Sequence, residues 1–277
     1  MDLFESIVLG LVQGITEFLP ISSSGHLVLA QALLGVEKSG ITFEVALHLA
    51  TAAAVAVYYR KRLWGMLISL RLVFSPRARG PEAKADEKYV VDLEHLRLLW
   101  YVALGTVPAA AVGSLFKDFF EEFFYSPHLV CVLLLVTGGV LMSTRLVASS
   151  SGRRLVWSTA LLIGVAQAAA ILPGISRSGA TIAVGLLLGL KADKAAEFSF
   201  LLALPAILGA ALLEFIELLG TGLPGSLNPL VIFPGSVSAL LFGYLAIVFL
   251  LKVLLAGRFD RFAYYCWAVG LTGLILL

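Results

Sequence analysis

Charge is what this sequence most lacks. Only 14% of its 277 residues are Asp, Glu, Lys or Arg, against about 25% in soluble globular chains. Hydrophobic residues make up 60%, and the mean hydropathy is +0.97. These values exclude a soluble protein and define an integral membrane protein. Cysteine is scarce as well: Cys131 and Cys266 lie in apolar runs with no metal-ligand spacing, so they read as small core residues. The start of the chain, Met1-Asp2-Leu3-Phe4-Glu5, is acidic where a cleavable signal peptide would be basic, so no such peptide is expected. The net charge of +2 carries no argument for nucleic acid, because the basic residues are segregated by topology.

Long polar stretches are rare too, and the one present sets the orientation. Residues 60–97 hold nine basic residues, from Arg60, Lys61 and Arg62 to Arg97, against five acids, beside two apolar runs. That excess marks a cytoplasmic loop. Counting from it, apolar runs at 43–59, 98–116, 129–146, 198–216, 237–255 and 262–277 read as six spans, with a short acidic loop at 117–127 containing Glu121 and Glu122. This count puts 17 of the 20 Lys and Arg inside, leaving Lys38, Lys117 and Arg177.

Two further apolar stretches are too short to cross. Residues 3–19 stop at Pro20 and are followed by 25–35; residues 156–172 stop at Pro173 and are followed by 181–190. Neither piece of either pair reaches the roughly twenty residues a span needs, so each pair reads as a re-entrant hairpin. The pairs repeat. A shift of 154 positions lays Ser22-Ser23-Ser24-Gly25 on Ser176-Arg177-Ser178-Gly179, Gly10 on Gly164 and Gln13 on Gln167. Each copy holds one hairpin and three spans, an odd number, so the copies have opposite orientation. The expected fold is an all-α polytopic membrane protein with six transmembrane helices and two re-entrant helical hairpins in an inverted-topology repeat. It forms a single membrane domain over 1–277, with repeat one at 1–147 (hairpin 3–35) and repeat two at 155–277 (hairpin 156–190).

The second turn carries the chemistry. Arg177 is the sole basic residue between Arg154 and Lys191, and an arginine at membrane depth marks a functional site. Ser176, Ser178 and Thr181 surround it with hydroxyls, and Gly174 and Gly179 allow close approach of the backbone. If both serine turns cap the helices after them, two helix N-termini face one small volume, an anion pocket suited to phosphate. There Arg177 adds a bidentate fork, with Ser22, Ser24, Gly25, Ser176, Ser178, Gly179 and Thr181 as further phosphate contacts.

Gln13 and Glu17, four apart, share a helix face below the first turn. A carboxylate beside a phosphate pocket argues for a divalent metal held by Glu17, Gln13 and phosphate oxygens. Glu17 can instead act as base toward water or a serine, with His26 as acid toward the leaving phosphate. Simpler readings stand beside these. The serines cap helices whatever else one of them does; His26 packs at an interface; Gln13 and Gln167 bond across helices. His48, near Glu44, reads equally as packing, and Glu214 and Glu217 as solvated residues at a helix end.

The run Gln13-Gly14-Ile15-Thr16-Glu17-Phe18-Leu19-Pro20-Ile21-Ser22-Ser23-Ser24-Gly25-His26, with Pro173-Gly174-Ile175-Ser176-Arg177-Ser178-Gly179-Ala180-Thr181, closely resembles the bacterial undecaprenyl-diphosphate phosphatase family, also known for bacitracin resistance. The likeness covers nearly the whole chain; many members have Glu where this chain has Gln13. The resemblance implies hydrolysis of a C55 polyprenyl diphosphate to the monophosphate, recycling the lipid carrier of peptidoglycan synthesis. It also implies a need for Mg²⁺ or Ca²⁺, and a site open to the outer face of the bacterial cytoplasmic (inner) membrane. It makes Glu17, His26 and Arg177 the essential positions, with Ser23 or water as nucleophile. A homodimer is compatible with the sequence. The rival reading of a different class is a transporter or a polyprenyl-phosphate lipid flippase, since inverted repeats with broken helices also build transporters.

Overall fold

A computed structural model describes residues 1–36, 41–75, 92–116, 127–146, 152–221 and 229–276. The first helix, α1 (Leu3–Phe18), begins at a capping box in which Asp2 accepts the Glu5 N–H at 2.8 Å and Glu5 accepts the Asp2 N–H at 2.6 Å. It stops where Leu19 turns extended ahead of Pro20. Next, α2 (Ser23–Leu34) ends at Gly35, whose φ of 68° is the left-handed conformation of a helix C-terminus. Then follow α3 (Ile41–Tyr58), α4 (Arg60–Val73), α5 (Leu93–Leu115) and α6 (Pro127–Ser143). The second half holds α7 (Trp157–Ala169), α8 (Arg177–Leu187), α9 (Ala192–Thr221), α10 (Pro229–Leu255) and α11 (Phe262–Leu276). No strand occurs among the described residues.

Among the described residues four helices are long and apolar enough to cross a membrane, at Leu93–Leu115, His128–Leu146, Ala192–Ile216 and Pro229–Leu255, and a fifth crossing appears if α3 and α4 count as one bent span. The chain is a multi-pass membrane protein. The runs expected at 98–116, 129–146, 198–216 and 237–255 fall on those four. The run at 43–59 falls on α3, and that at 262–277 on α11, which is 15 residues long. The acidic loop expected around Glu121 and Glu122 lies outside the described residues.

The expectation of one polar loop over 60–97 needs correction. Arg60–Val73 is a helix turned 81° from α3, and α5 already starts at Leu93. The helical spacing of Leu63, Met66, Ser69 and Leu72 explains α4: the last three are buried and Leu63 packs against the same core. Charge holds the bend. Arg62 pairs with Glu94 of α5 at 2.5 Å and Glu197 of α9 at 2.8 Å, and Lys194 reaches Glu197 at 2.8 Å.

The closest packing joins the two halves of the chain. A Cβ added at Gly10 of α1 would stand 2.1 Å from the Gly235 carbonyl oxygen of α10, and one at Gly14 would stand 2.6 Å from that of Ala239. At a second seam between the halves a Cβ at Gly164 of α7 would stand 2.2 Å from the Gly105 carbonyl oxygen of α5. Small residues four apart let helix backbones touch in a membrane, where dispersion rather than water release drives association. Ser6, Gly10 and Gly14 line the α1 seam, and the same 154-residue shift lands on Ala160, Gly164 and Ala168, all buried on α7. Ser238 of α10 seals the first seam by donating to the Ile7 carbonyl at 3.0 Å.

These contacts set a paired expectation. Gly10→Ala destabilises the protein by about 1–3 kcal/mol through overpacking, whereas Gly139→Ala on α6, where a Cβ meets nothing within 4 Å, stays within about 1 kcal/mol of the original. Thermal unfolding in detergent measures both, and equal midpoints would refute the seam.

Candidate active site

Two turns, one after α1 and one before α8, face each other at the centre of the helices. Arg177 Nη2 donates to Glu17 Oε1 at 2.5 Å. The other oxygen, Glu17 Oε2, accepts Ser23 Oγ at 2.5 Å and Gln13 Nε2 at 3.0 Å, and lies 3.8 Å from His48 Nε2. The Glu17 side chain is only 5% exposed and that of Arg177 19%. A buried charge left alone is costly, so each of these groups makes the other's position tenable; removing one partner of such a pair typically costs about 3–5 kcal/mol. Arg177 Nη1 is also buried, yet it has no hydrogen-bond partner among the described residues.

The turns also meet through their backbones. Ser22 Oγ accepts the Gly174 N–H at 3.2 Å, and Ser178 Oγ donates to the Leu19 carbonyl at 3.2 Å. Ser176 caps α8 by accepting the Gly179 N–H at 3.1 Å. Ser22 makes no such cap for α2, against expectation; its hydroxyl oxygen accepts the Gly174 N–H instead, leaving its own proton to donate. Its φ of 69° lies in the left-handed region, unlike any other non-glycine among the described residues. Such a conformation costs about 1–3 kcal/mol and persists only where neighbours impose it. Thr137 of α6 secures the second turn, donating to the Gly174 carbonyl at 2.9 Å and accepting the Ser176 N–H at 3.1 Å.

Between the turns lies a cavity of about 430 Å³. Glu17, Ser22, Ser23, Ser24, Ser176 and Arg177 line it on the polar side, joined by Glu44 and His48 of α3, with apolar walls from Leu27, Val45, Ile171 and Ile207. Gly25, Ser178, Gly179 and Thr181 stand behind this lining. Thr181 donates to the Arg177 carbonyl at 2.7 Å and pairs with Ser199 at 2.5 Å, so it braces the α8 start from outside the chamber. His26 is likewise not in the lining; it sits against Tyr265 of α11. Gln167 is buried, and both its amide atoms lack partners among the described residues.

The donor set bears on the expected metal. No group of three His, Cys, Asp or Glu gathers to hold an ion among the described residues. Gln13 turns its amide nitrogen to Glu17, and its buried Oε1 has no partner among the described residues. Glu17 lines the chamber, whereas Gln13 is fully buried outside the lining; one carboxylate and one amide oxygen without a partner among the described residues fit only a hard cation that draws its remaining ligands from phosphate and water.

Sequence reading left His48 open and missed Thr137 and Tyr265. Thr137 signals itself only as a hydroxyl in the apolar run of α6, and Tyr265 has no local signal at all.

Fold and site together define a multi-pass helical membrane protein with a serine-lined chamber around a buried arginine–glutamate pair. Comparison with known proteins narrows this class. The family model described as bacitracin resistance protein BacA matches residues 6–272. An undecaprenyl-diphosphatase of Desulforapulum autotrophicum is 42% identical, covering 99% of this chain and 98% of that protein. Proteins of the same name from Methanosphaera stadtmanae and Geotalea daltonii are 39% and 42% identical, each covering 100% of this chain and 98% and 99% of their own lengths. The chain belongs to the BacA family of bacitracin resistance proteins.

Thr137→Val removes both bonds to the second turn while keeping the side chain's shape, leaving a buried N–H and a carbonyl unpaired. A loss of about 2 kcal/mol is expected, read as a lower unfolding temperature in detergent; an unchanged midpoint would show that Thr137 does not hold the turn.

Proposed function

We propose that the chamber hydrolyses undecaprenyl diphosphate to undecaprenyl phosphate and inorganic phosphate, returning the lipid carrier to peptidoglycan synthesis and conferring bacitracin resistance. The observation that carries this reading is the free, buried Nη1 of Arg177 beside Glu17 and among the serines, a donor poised for an anion. Family membership and relatives named undecaprenyl-diphosphatase support the same reaction.

In this reaction Arg177 and the hydroxyls of Ser22, Ser24 and Ser176 bind the terminal phosphoryl group. Ser23 donates its proton toward Glu17 Oε2, the hydroxyl-and-base arrangement that nucleophilic attack requires; a water at the same place is the alternative nucleophile. Attack forms an oxygen bond to the terminal phosphorus, and the bridging oxygen–phosphorus bond breaks with its electron pair passing to the lipid monophosphate. With Ser23 as nucleophile, water then cleaves the phosphoserine to release inorganic phosphate. Arg177 neutralises the charge that develops on the phosphoryl oxygens. Glu17 and Gln13 would hold Mg²⁺ or Ca²⁺, whose charge further neutralises those oxygens when bound. His26 acts in this reading through the turn it supports, since its ring stands outside the lining.

Placement is part of the proposal. The excess of basic residues at 60–62, 145, 153–154, 191–194 and 252–261 puts that side in the cytoplasm, with the chamber open to the outer face of the cytoplasmic membrane. The two halves, 1–147 and 155–277, are proposed as inverted repeats whose hairpins re-enter the membrane; the paired glycine seams, α1 on α10 and α7 on α5, support this.

The test is phosphate release from undecaprenyl diphosphate by purified protein in detergent, where no compartment exists to transport across. Arg177→Ala is expected to lower kcat per folded molecule at least about a hundredfold and to lower the unfolding midpoint as well, since Glu17 loses its partner, and Glu17→Gln to lose both rate and the response to Mg²⁺. Full activity in Arg177→Ala would remove the arginine from the reaction, and absence of release beside lipid flipping in vesicles would favour a flippase.

A further inference from the structure

We propose that Tyr265 is a positioning residue for the first serine turn, acting through His26. The functional half of this inference rests on the phosphatase reading above; the structural half does not.

His26 Nδ1 lies 2.8 Å from the Ser22 carbonyl oxygen, and its Nε2 lies 2.8 Å from the Tyr265 hydroxyl. A carbonyl oxygen only accepts, so Nδ1 carries a proton. In the neutral ring Nε2 then has a bare lone pair, and the Tyr265 O–H is the donor that meets it. Donation therefore runs one way, from Tyr265 to His26 to Ser22; in the other tautomer the Ser22 bond is lost and the Tyr265 bond reverses, its hydroxyl oxygen accepting from Nε2. The two rings are also nearly parallel, 16° apart with centroids at 5.6 Å.

The receiving atom matters. The Ser22 carbonyl belongs to the residue whose left-handed backbone aims Ser23 and Ser24 into the chamber. Its hydroxyl already holds the opposite turn through Gly174. The strained residue is thus gripped from both ends, and the His26 end is anchored in α11. That helix is a firm support: Cys266 donates to the Pro20 carbonyl at 3.5 Å, on the other flank of the turn, and Trp267 Nε1 donates to the Leu135 carbonyl of α6 at 3.1 Å. Tyr265 and Cys266 therefore bracket residues 20–26. Without the tyrosine hydroxyl Nε2 has no anchor in α11, so the ring that tethers the Ser22 carbonyl is no longer held in place while the helix stays packed.

The experiment uses full-length protein in detergent with ¹⁵N-labelled histidine, the His26 signals being assigned by their loss in His26→Ala. In the unmodified protein His26 is expected as the tautomer protonated at Nδ1; protonation at Nε2 instead would overturn the strut whatever any variant does. Tyr265→Phe keeps the stacked ring and removes only the donor. It is expected to move the His26 Nε2 signal to that of a nitrogen without a hydrogen bond, Nδ1 staying protonated, and to lower kcat about tenfold with KM within about twofold. In the His26→Ala background the same change is expected to have no further effect, because both variants cut one chain of bonds. Unchanged kcat in Tyr265→Phe, or rate losses that multiply in the double variant, would refute the positioning role. Should the unmodified protein release no phosphate from the diphosphate lipid, the phosphatase reading falls, while the tautomer measurement still decides the strut.

Discussion

The structure depends on one ion pair, Arg177 with Glu17, formed across 160 residues of chain in a region with almost no other charge. Neither group is tenable alone at that depth. Their pairing requires the turn after α1 and the turn before α8 to arrive at one point, which demands that the helices behind them approach more closely than ordinary side chains permit. The glycine seams supply that approach, and Thr137 and the Ser22–Gly174 bond fix the last few ångströms. The pair is not saturated, however. One guanidinium nitrogen keeps an unused donor beside a carboxylate already crowded with partners, so the site is arranged to receive an anion rather than merely to neutralise itself.

Much of this was legible in the sequence. Composition alone defines the membrane class, and the scarcity of charge makes Arg177 conspicuous. The serine turns and the Gln13–Glu17 spacing follow from residue types and helical period, both of which are local. Where sequence reading went astray, the cause was distance or pattern. The basic residues of α4 hide an apolar seam of Leu63, Met66 and Leu72, so the segment reads as loop. Ser22 was read as a cap because capping is the general use of serine; its actual partner lies 152 residues away. Nearness to the turn suggests a place in the chamber for His26, but the helix twist from Ser23 to His26 carries its ring round to α11. His48 became a neighbour of Glu17 only through the packing of α3, which no local signal reports.

The first turn shows how strain and support divide. A serine in the left-handed region is an expensive way to aim two hydroxyls, and glycine would hold the shape without strain. Glycine has no hydroxyl, however, and here the Ser22 hydroxyl is one of the direct bonds between the two halves. The conformation persists because its carbonyl, its side chain and the preceding proline are all held by other elements.

Those interlocked seams also bear on how the molecule is made. Gly10 meets Gly235, and Glu17 meets Arg177, so α1 finds its partners only when the chain is well advanced. At about 5–20 residues per second, α1 leaves the ribosome roughly 10–40 s before α10 begins to follow it. During that interval its glycine face and its glutamate have no intramolecular partners in α8 or α10. Neither half can mature first, and a chain interrupted between Arg145 and Trp157 would have to reassemble from two fragments, each lacking the surface that completes the other.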